Sequence, residues 1–186
     1  MLVDFLVKVQ GTVLPADHCY GIYSIICKLS PELKNIDWQL NTITGFPINN
    51  GLIRLGSKSH LTIRINIDHF NEIKSIQNRQ FTLGIHTFYT ENFTINSIIP
   101  KKQLQSRIVV IKGAEDKESL NTKLGKQCHA LEIKPNFEIT ERKTIKIKRF
   151  TVIGYSVTFL DLTEEESLRL QTYGLGGKHK MGCGVF

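Results

Sequence analysis

The sequence has no apolar run near the ~20 residues that a bilayer-spanning helix needs, so no membrane partner is expected. Its opening residues, Met1-Leu2-Val3-Asp4-Phe5, include an acid and lack a basic lead, which is not the make-up of a secretory signal. Its four cysteines (Cys19, Cys27, Cys128, Cys183) form no C-x-x-C pair, so a zinc site is not expected. Cys19 and Cys27 fall on one helix and are poorly placed to bridge. Free thiols in a reducing cytoplasm are the simplest account. No Gly-Lys-Ser/Thr follows a four-residue gap, and no strand–glycine–helix dinucleotide fingerprint is present. Paired carboxylates suited to a metal are also missing: Glu164, Glu165 and Glu166 belong to a helix start, where they complement the dipole. The expected cofactor and metal content is therefore none.

What is present favours a polyanionic partner. Against 17 Asp and Glu stand 24 Lys and Arg, a formal charge of +7. The charge is not gathered on one amphipathic helix, so nucleic acid fits better than a membrane surface. With 186 residues, 41% of them apolar, the chain can build one compact domain or two small ones.

Periodicity gives an α+β order. Leu2 to Gln10 alternates as a strand, and Gly11 to Leu14 connects it to a helix beginning at Pro15-Ala16-Asp17, with Asp17 as the expected N-cap. Ile22, Ile25, Ile26, Leu29 and Leu33 define its buried face, and Pro31 bends or ends it. Asn41 to Asn50 reads as loop. Leu52 to Leu55 and Leu61 to Ile67 read as strands around the Gly56-Ser57-Lys58-Ser59 turn. Asp68 caps a short helix to Ile76, and Phe81 to Thr87 is a strand. The second half repeats the order. Ser106 to Lys112 is a strand, and Lys117 to Leu131 a helix with Leu120, Leu124, Cys128 and Leu131 inward. Phe137 to Lys148 and Thr151 to Leu162 are strands, Thr163 to Tyr173 a helix with a Thr163–Glu166 capping box, and Met181 to Phe186 a last strand. The expectation is two tandem ferredoxin-like (RRM-like, β-α-β-β-α-β) units, residues 1–100 and 101–186, the second ending in a glycine-rich loop.

Two stretches suggest how a polyanion is held. From Lys134 to Arg149 there are six basic residues and two acids. In a strand Arg142, Thr144, Lys146 and Lys148 point one way, and Ile145 and Ile147 the other. The result is a basic rail, with Arg149 at its end, or simply an edge guarded by Lys. The segment 174–186 holds five glycines together with Lys178, His179 and Lys180. Glycine amides interspersed with lysine make a phosphate cradle, here Gly176, Gly177, Lys178, His179 and Lys180, unless the segment is a frayed tail.

Proton chemistry points to the other end. RNA cleavage without a metal needs a base for the 2′-hydroxyl, an acid for the departing 5′-oxygen, and donors for the phosphorane. His18 lies at the start of the first helix, with Tyr20 and Tyr23 close by and Lys28 further along. Imidazole suits either proton step, although a single His at a helix start is also an ordinary structural residue. His60 and His86 fall on strands and read as structural or RNA-adjacent. His69 and His129 read as surface or boundary residues of helices.

The 174–186 segment resembles the C-terminal glycine-rich signature of the repeat-associated (RAMP) superfamily of CRISPR proteins. Leu14-Pro15-Ala16-Asp17-His18, with the helix ending Leu29-Ser30-Pro31-Glu32-Leu33, resembles the CRISPR repeat-processing endoribonucleases, in particular their compact Myxococcus-subtype branch. Ser59-His60-Leu61-Thr62-Ile63-Arg64 and Leu104-Gln105-Ser106-Arg107-Ile108-Val109 are similar to the same branch. The resemblance implies the twin ferredoxin-like fold. It also implies metal-independent cleavage of precursor CRISPR RNA to a 5′-hydroxyl and a 2′,3′-cyclic phosphate. The implied partners are repeat RNA and CRISPR effector-complex subunits, and the implied assembly is a monomer or homodimer. By position His18 matches the catalytic histidine, with Tyr20 and Tyr23 as its expected companions. Some relatives carry a further His, Tyr or Lys along or beyond this helix, where this chain has Cys27 and Asp37-Trp38. The alternatives are a non-catalytic RNA-binding subunit and a generic RRM-like regulator; the latter lacks its base-stacking aromatic motif here.

Overall fold

In the computed structural model, which describes residues 1–186, Val3, Phe5, Val7 and Val9 of β1 (Leu2–Gly11) all face one core. The chain divides into two units, Met1–Ser97 and Ile98–Phe186, each an α+β arrangement with antiparallel sheets.

In the first unit β1 is followed by β2 (Val13–Pro15), α1 (Cys19–Leu29), β3 (Trp38–Leu40), β4 (Phe46–Ile48), β5 (Leu52–Arg54) and β6 (His60–Asn66). A single turn of helix, α2 (Phe70–Ile73), lies between two 3-10 turns. Then come β7 (Arg79–Leu83) and β8 (His86–Ser97). The main sheet runs β3-β6-β1-β8-β7, and β2-β5-β4 form a separate small sheet. Helix α1 buries Ile22, Ile26 and Cys27, while Ile25 and Leu29 pack half-buried against the same core. Full burial of an aliphatic side chain is worth roughly 1.5–3 kcal/mol, an upper figure because unfolded chains already bury some surface. Asp4 and Arg64 face each other across β1 and β6, joined through both carboxylate oxygens at 2.7 and 3.0 Å. Trp38 Nε1 donates to the Leu33 carbonyl at 2.8 Å, closing the turn after α1.

Several expectations fail locally. The N-cap of α1 is His18 rather than Asp17. Asn66, not Asp68, caps the 3-10 turn Ile67–His69 that leads into α2, accepting from the Asp68 amide at 3.3 Å. The presumed loops 11–14 and 41–50 contribute β2 and β4, and β5 pairs with these rather than with β6. The strand expected over 81–87 is a hairpin. Leu83 pairs with His86 across a two-residue turn, and Gly84 at φ 62° supplies the left-handed conformation at its first position.

The second unit holds β9 (Leu104–Val109), α3 (Lys117–Ala130), β10 (Phe137–Ile147), β11 (Phe150–Phe159) and α4 (Glu164–Tyr173), with sheet order β10-β11-β9. Leu120, Leu124 and Cys128 of α3 meet Val157 and Phe159 in its core. The capping box is present: Thr163 Oγ1 accepts from the Glu166 amide, and Glu166 accepts from Thr163 N at 2.9 Å. The expected final strand is absent. A 3-10 turn spans His179–Met181, and Gly182 and Gly184 take φ values of 76° and 63°, which interrupt any extended run. The end of the chain nevertheless packs. Phe186 meets Phe159 edge to face at 5.5 Å.

Candidate nuclease groove and nucleic-acid contacts

The first helix enters its core through His18. The His18 side chain is only 2% exposed, and the Ile43 amide donates to its Nε2 at 2.8 Å. An acceptor nitrogen on that side puts the proton on Nδ1, which donates to the Pro15 carbonyl at 2.7 Å. Both nitrogens therefore hold backbone. His18 ties the end of β2 and the 41–45 segment to the start of α1. Proton uptake at Nε2 requires the Ile43 amide to leave, and proton release from Nδ1 requires the Pro15 carbonyl to leave.

His18 also forms one wall of an open groove of about 480 Å³. Pro15, Asp17 and Gly21 share that wall, and Leu83, Gly84, Ile85 and His86 of the β7–β8 hairpin form the other. Gly21 brings the walls together, since a Cβ there would sit 2.6 Å from Leu83 Cδ2. Ile85, at the hairpin tip, is 92% exposed.

Tyr20 and Tyr23 lie on the next turn of α1, half-buried, with ring centroids 6.4 Å apart. Tyr23 stacks on Trp38 at 6.1 Å. Burial first, and the neighbouring Cys27 second, push its hydroxyl above the ordinary tyrosine value. It stays protonated, which suits a hydrogen-bond donor and not a base. Of the first unit's histidines, His18 and His86 line this groove, and His60 and His69 do not. His60 Nδ1 lies 3.0 Å from the Lys58 carbonyl, and His69 pairs with Glu72 at 3.5 Å. No group of three or more His, Cys, Asp or Glu side chains is arranged to hold a metal ion.

In the second unit the two-faced β10 forms as expected in part. Ile145 and Ile147 are buried, while Arg142, Thr144 and Lys146 are exposed along an edge strand. Lys148 and Arg149 leave the strand and form the β10–β11 turn, with Lys148 at φ 54°; their side chains are not in the alternation. The Arg149 guanidinium sits 5.2 Å from the Phe150 ring centroid. Arg107, on β9, has buried Nε and Nη2 atoms with no hydrogen-bond partner. Two buried guanidinium nitrogens without an acceptor are costly in a folded chain.

The glycine segment does not offer its amides as a cradle. Gly176 N donates to Gln127 Oε1 at 2.8 Å, Gly177 N to the Val110 carbonyl at 2.9 Å, and Gly184 N to the Ile108 carbonyl at 2.8 Å. Leu175 N is taken by Gly184 O, and the Met181, Gly182 and Cys183 amides close on Lys178 and His179 carbonyls. The glycines are needed for close approach. A Cβ on Gly184 would overlap the Leu175 carbonyl oxygen, and one on Gly176 the Val110 oxygen. What remains for a ligand is the exposed Lys178, with His179 and Lys180 half-buried beside it.

The sequence pattern of the family described as Cas6 Crispr matches residues 3–186. A CRISPR-associated endonuclease Cas6 of Myxococcus xanthus (strain DK1622) is 25% identical over 187 residues, covering 100% of this chain and 81% of that protein. A solved RAMP protein described as binding different RNA substrates has a TM-score of 0.67 at 17% identity, covering 100% of this chain and 98% of that one. The product of a Cas6-related gene from Pyrococcus furiosus has a TM-score of 0.66 at 17% identity, covering 100% and 97%. At such identities the structural likeness speaks for the fold.

Proposed function

We propose that this chain, which belongs to the Cas6 Crispr family, binds CRISPR repeat RNA and cleaves precursor CRISPR RNA. The reaction is metal-independent 2′-hydroxyl attack, giving a 5′-hydroxyl and a 2′,3′-cyclic phosphate. The observation that carries the activity is the groove at the start of α1, where Asp17, His18 and His86 line an open space of about 480 Å³. Titratable groups converging on an open groove are what proton transfer to and from RNA needs.

Within this reading His18 shapes the groove, and becomes an acid or base when bound RNA draws the Ile43 amide away. Tyr20 and Tyr23 serve as hydroxyl donors to the phosphorane. Arg142, Lys146, Lys148 and Arg149 track the RNA backbone along and beyond β10, and Lys178, His179 and Lys180 add contacts from the C-terminal segment. Gly176 and Gly177 shape that segment. Each unit is proposed to be ferredoxin-like, with the boundary near residue 100. In the first, β8-β1-β6-β3 places the fourth, first, third and second strands side by side, with β7 as an extra edge. In the second, the glycine segment bonds the free edge of β9 where a fourth strand would lie. The working compartment is the cytoplasm, as a monomer or homodimer, alone or beside CRISPR effector-complex subunits.

A second reading, a non-catalytic RNA-binding subunit, is favoured by the engagement of both His18 nitrogens. One assay separates the two: repeat RNA incubated with the full chain in EDTA. A shortened product ending in a cyclic phosphate supports the enzyme. Binding with no product supports the subunit, and activity that EDTA abolishes refutes the metal-free mechanism.

A further inference from the structure

RNA cleavage of this type moves two protons. The 2′-oxygen bonds to the adjacent phosphorus and gives its proton to a base. The bond from phosphorus to the 5′-oxygen breaks with its electron pair, and that oxygen takes a proton from an acid. No water is consumed, and the products are a 2′,3′-cyclic phosphate and a 5′-hydroxyl. His18, with both nitrogens holding backbone, leaves at least one of these transfers to another group.

The hairpin supplies it. Leu83 and His86 are a directly opposed cross-strand pair, so their side chains leave the same face. That face is set by Leu83, whose Cδ2 lies where a Cβ on Gly21 would stand 2.6 Å away. His86 therefore also faces α1, and it lines the groove opposite Asp17 and His18. It is half-buried, and its ring makes no hydrogen bond or ion pair inside the chain. The two-residue turn fixes its backbone at the groove wall, and neither ring nitrogen is taken by a partner inside the chain.

We infer that His86 is a catalytic residue of this groove and carries one of the two proton transfers. This rests on the reading of the chain as a repeat-cleaving enzyme. The test is single-turnover cleavage of repeat RNA in EDTA by the full chain, comparing wild type with His86→Ala and His86→Gln, each with and without added imidazole. RNA affinity is measured in parallel. The expected result is a 10²–10⁴-fold slower cleavage in both variants. Affinity stays within threefold, and imidazole partly restores the rate of His86→Ala. A repeat substrate with sulfur replacing the scissile 5′-oxygen then assigns the step. Near wild-type cleavage by His86→Ala makes His86 the acid, because a thiolate leaves without protonation; persistent slowness makes it the base. The inference is overturned if either variant cleaves within threefold of wild type, or if slowed cleavage follows lost affinity or is not restored by imidazole. A wild-type chain that binds repeat RNA and never cleaves it overturns the enzyme reading itself, and this inference with it.

Discussion

Replacing His18 separates its anchoring role from a proton-transfer role. His18→Ala leaves the Ile43 amide and the Pro15 carbonyl without the partners they hold at 2.8 and 2.7 Å. Each buried backbone group left unsatisfied costs about 1–3 kcal/mol, so the pair accounts for about 2–6 kcal/mol, the lower end applying if water enters. His18→Gln places an amide oxygen close to the Nε2 position, where it accepts from Ile43. Only the Pro15 carbonyl is then left unsatisfied, for about 1–3 kcal/mol. The expected order in thermal unfolding of the full chain is wild type, then Gln, then Ala, with the Gln variant about midway. At 2–4 °C per kcal/mol for chains of this size, Ala should unfold several degrees below Gln. Cleavage by the same variants gives the second arm. An anchoring role leaves His18→Gln within about tenfold of wild type, whereas a direct proton transfer costs it 10²–10⁴-fold. The anchoring argument is refuted if His18→Ala is as stable as wild type. If Gln is as stable as wild type and catalytically dead, the imidazole itself does chemistry, and the Ile43 amide must move during the reaction.

Other outcomes follow from other parts of the chain. Lys146→Ala with Lys148→Ala should weaken repeat binding and lower the salt slope by about 1.4, at ~0.7 per single-strand phosphate; an unchanged slope removes β10 and its turn from the RNA path. Arg107→Ala should leave thermal stability equal or higher, because it removes unpartnered buried nitrogens; a clear drop in the unfolding temperature refutes this. Gly184→Ala should destabilise the second unit by several kcal/mol, at about the level of an overpacked core or worse, since its Cβ would meet the Leu175 carbonyl at a left-handed φ; a soluble, wild-type-like melt refutes this. The carboxyl of Glu166 is held below its usual value, first by the Thr163 amide and then by the Lys134 amide. A depressed folded-state value stabilises above the unfolded pKa and is lost as pH falls. The stability gap between wild type and Glu166→Gln should therefore be a few tenths of a kcal/mol near neutrality and close in acid, the exposed site limiting its size.

Long, strongly patterned segments were legible in the sequence. The alternation in β1, the inward stripe of α3 and the Thr163–Glu166 box each express one dominant local rule, and the corresponding elements form. Failures occur where tertiary partners override the local rule. Asp17 has the better capping chemistry, but His18 takes the cap position because its ring is committed to Pro15 and Ile43. Ile43 lies 25 residues beyond His18, and sequence spacing carries no trace of that bond. The short strands β2, β4 and β5 are three residues each, too brief for alternation to register. The site was half legible for a similar reason. His18 stood out because it begins a helix. His86 reads in the sequence as any strand residue; the two-residue turn Gly84-Ile85 makes it the hairpin's closing partner of Leu83.

The glycine segment at the chain's end shows how a recognisable motif can mislead about chemistry. Its composition suggests exposed amides waiting for phosphate, yet its amides are directed into β9, Gln127 and the segment itself. Glycine is required there because the segment runs along β9 and folds back on its own carbonyls too closely for a Cβ. Such a segment is under tight steric constraint whatever it binds, which is why it reads so clearly as a signature. Conversely, a proton-transfer site needs only a few side chains aimed at one space, and these can come from elements distant in sequence. In the proposed site they come from the start of α1 and from the β7–β8 turn. The strongest sequence signal in this chain therefore marks a packing constraint, and the chemistry is to be sought where the signal is weak, at the groove between Asp17 and His86.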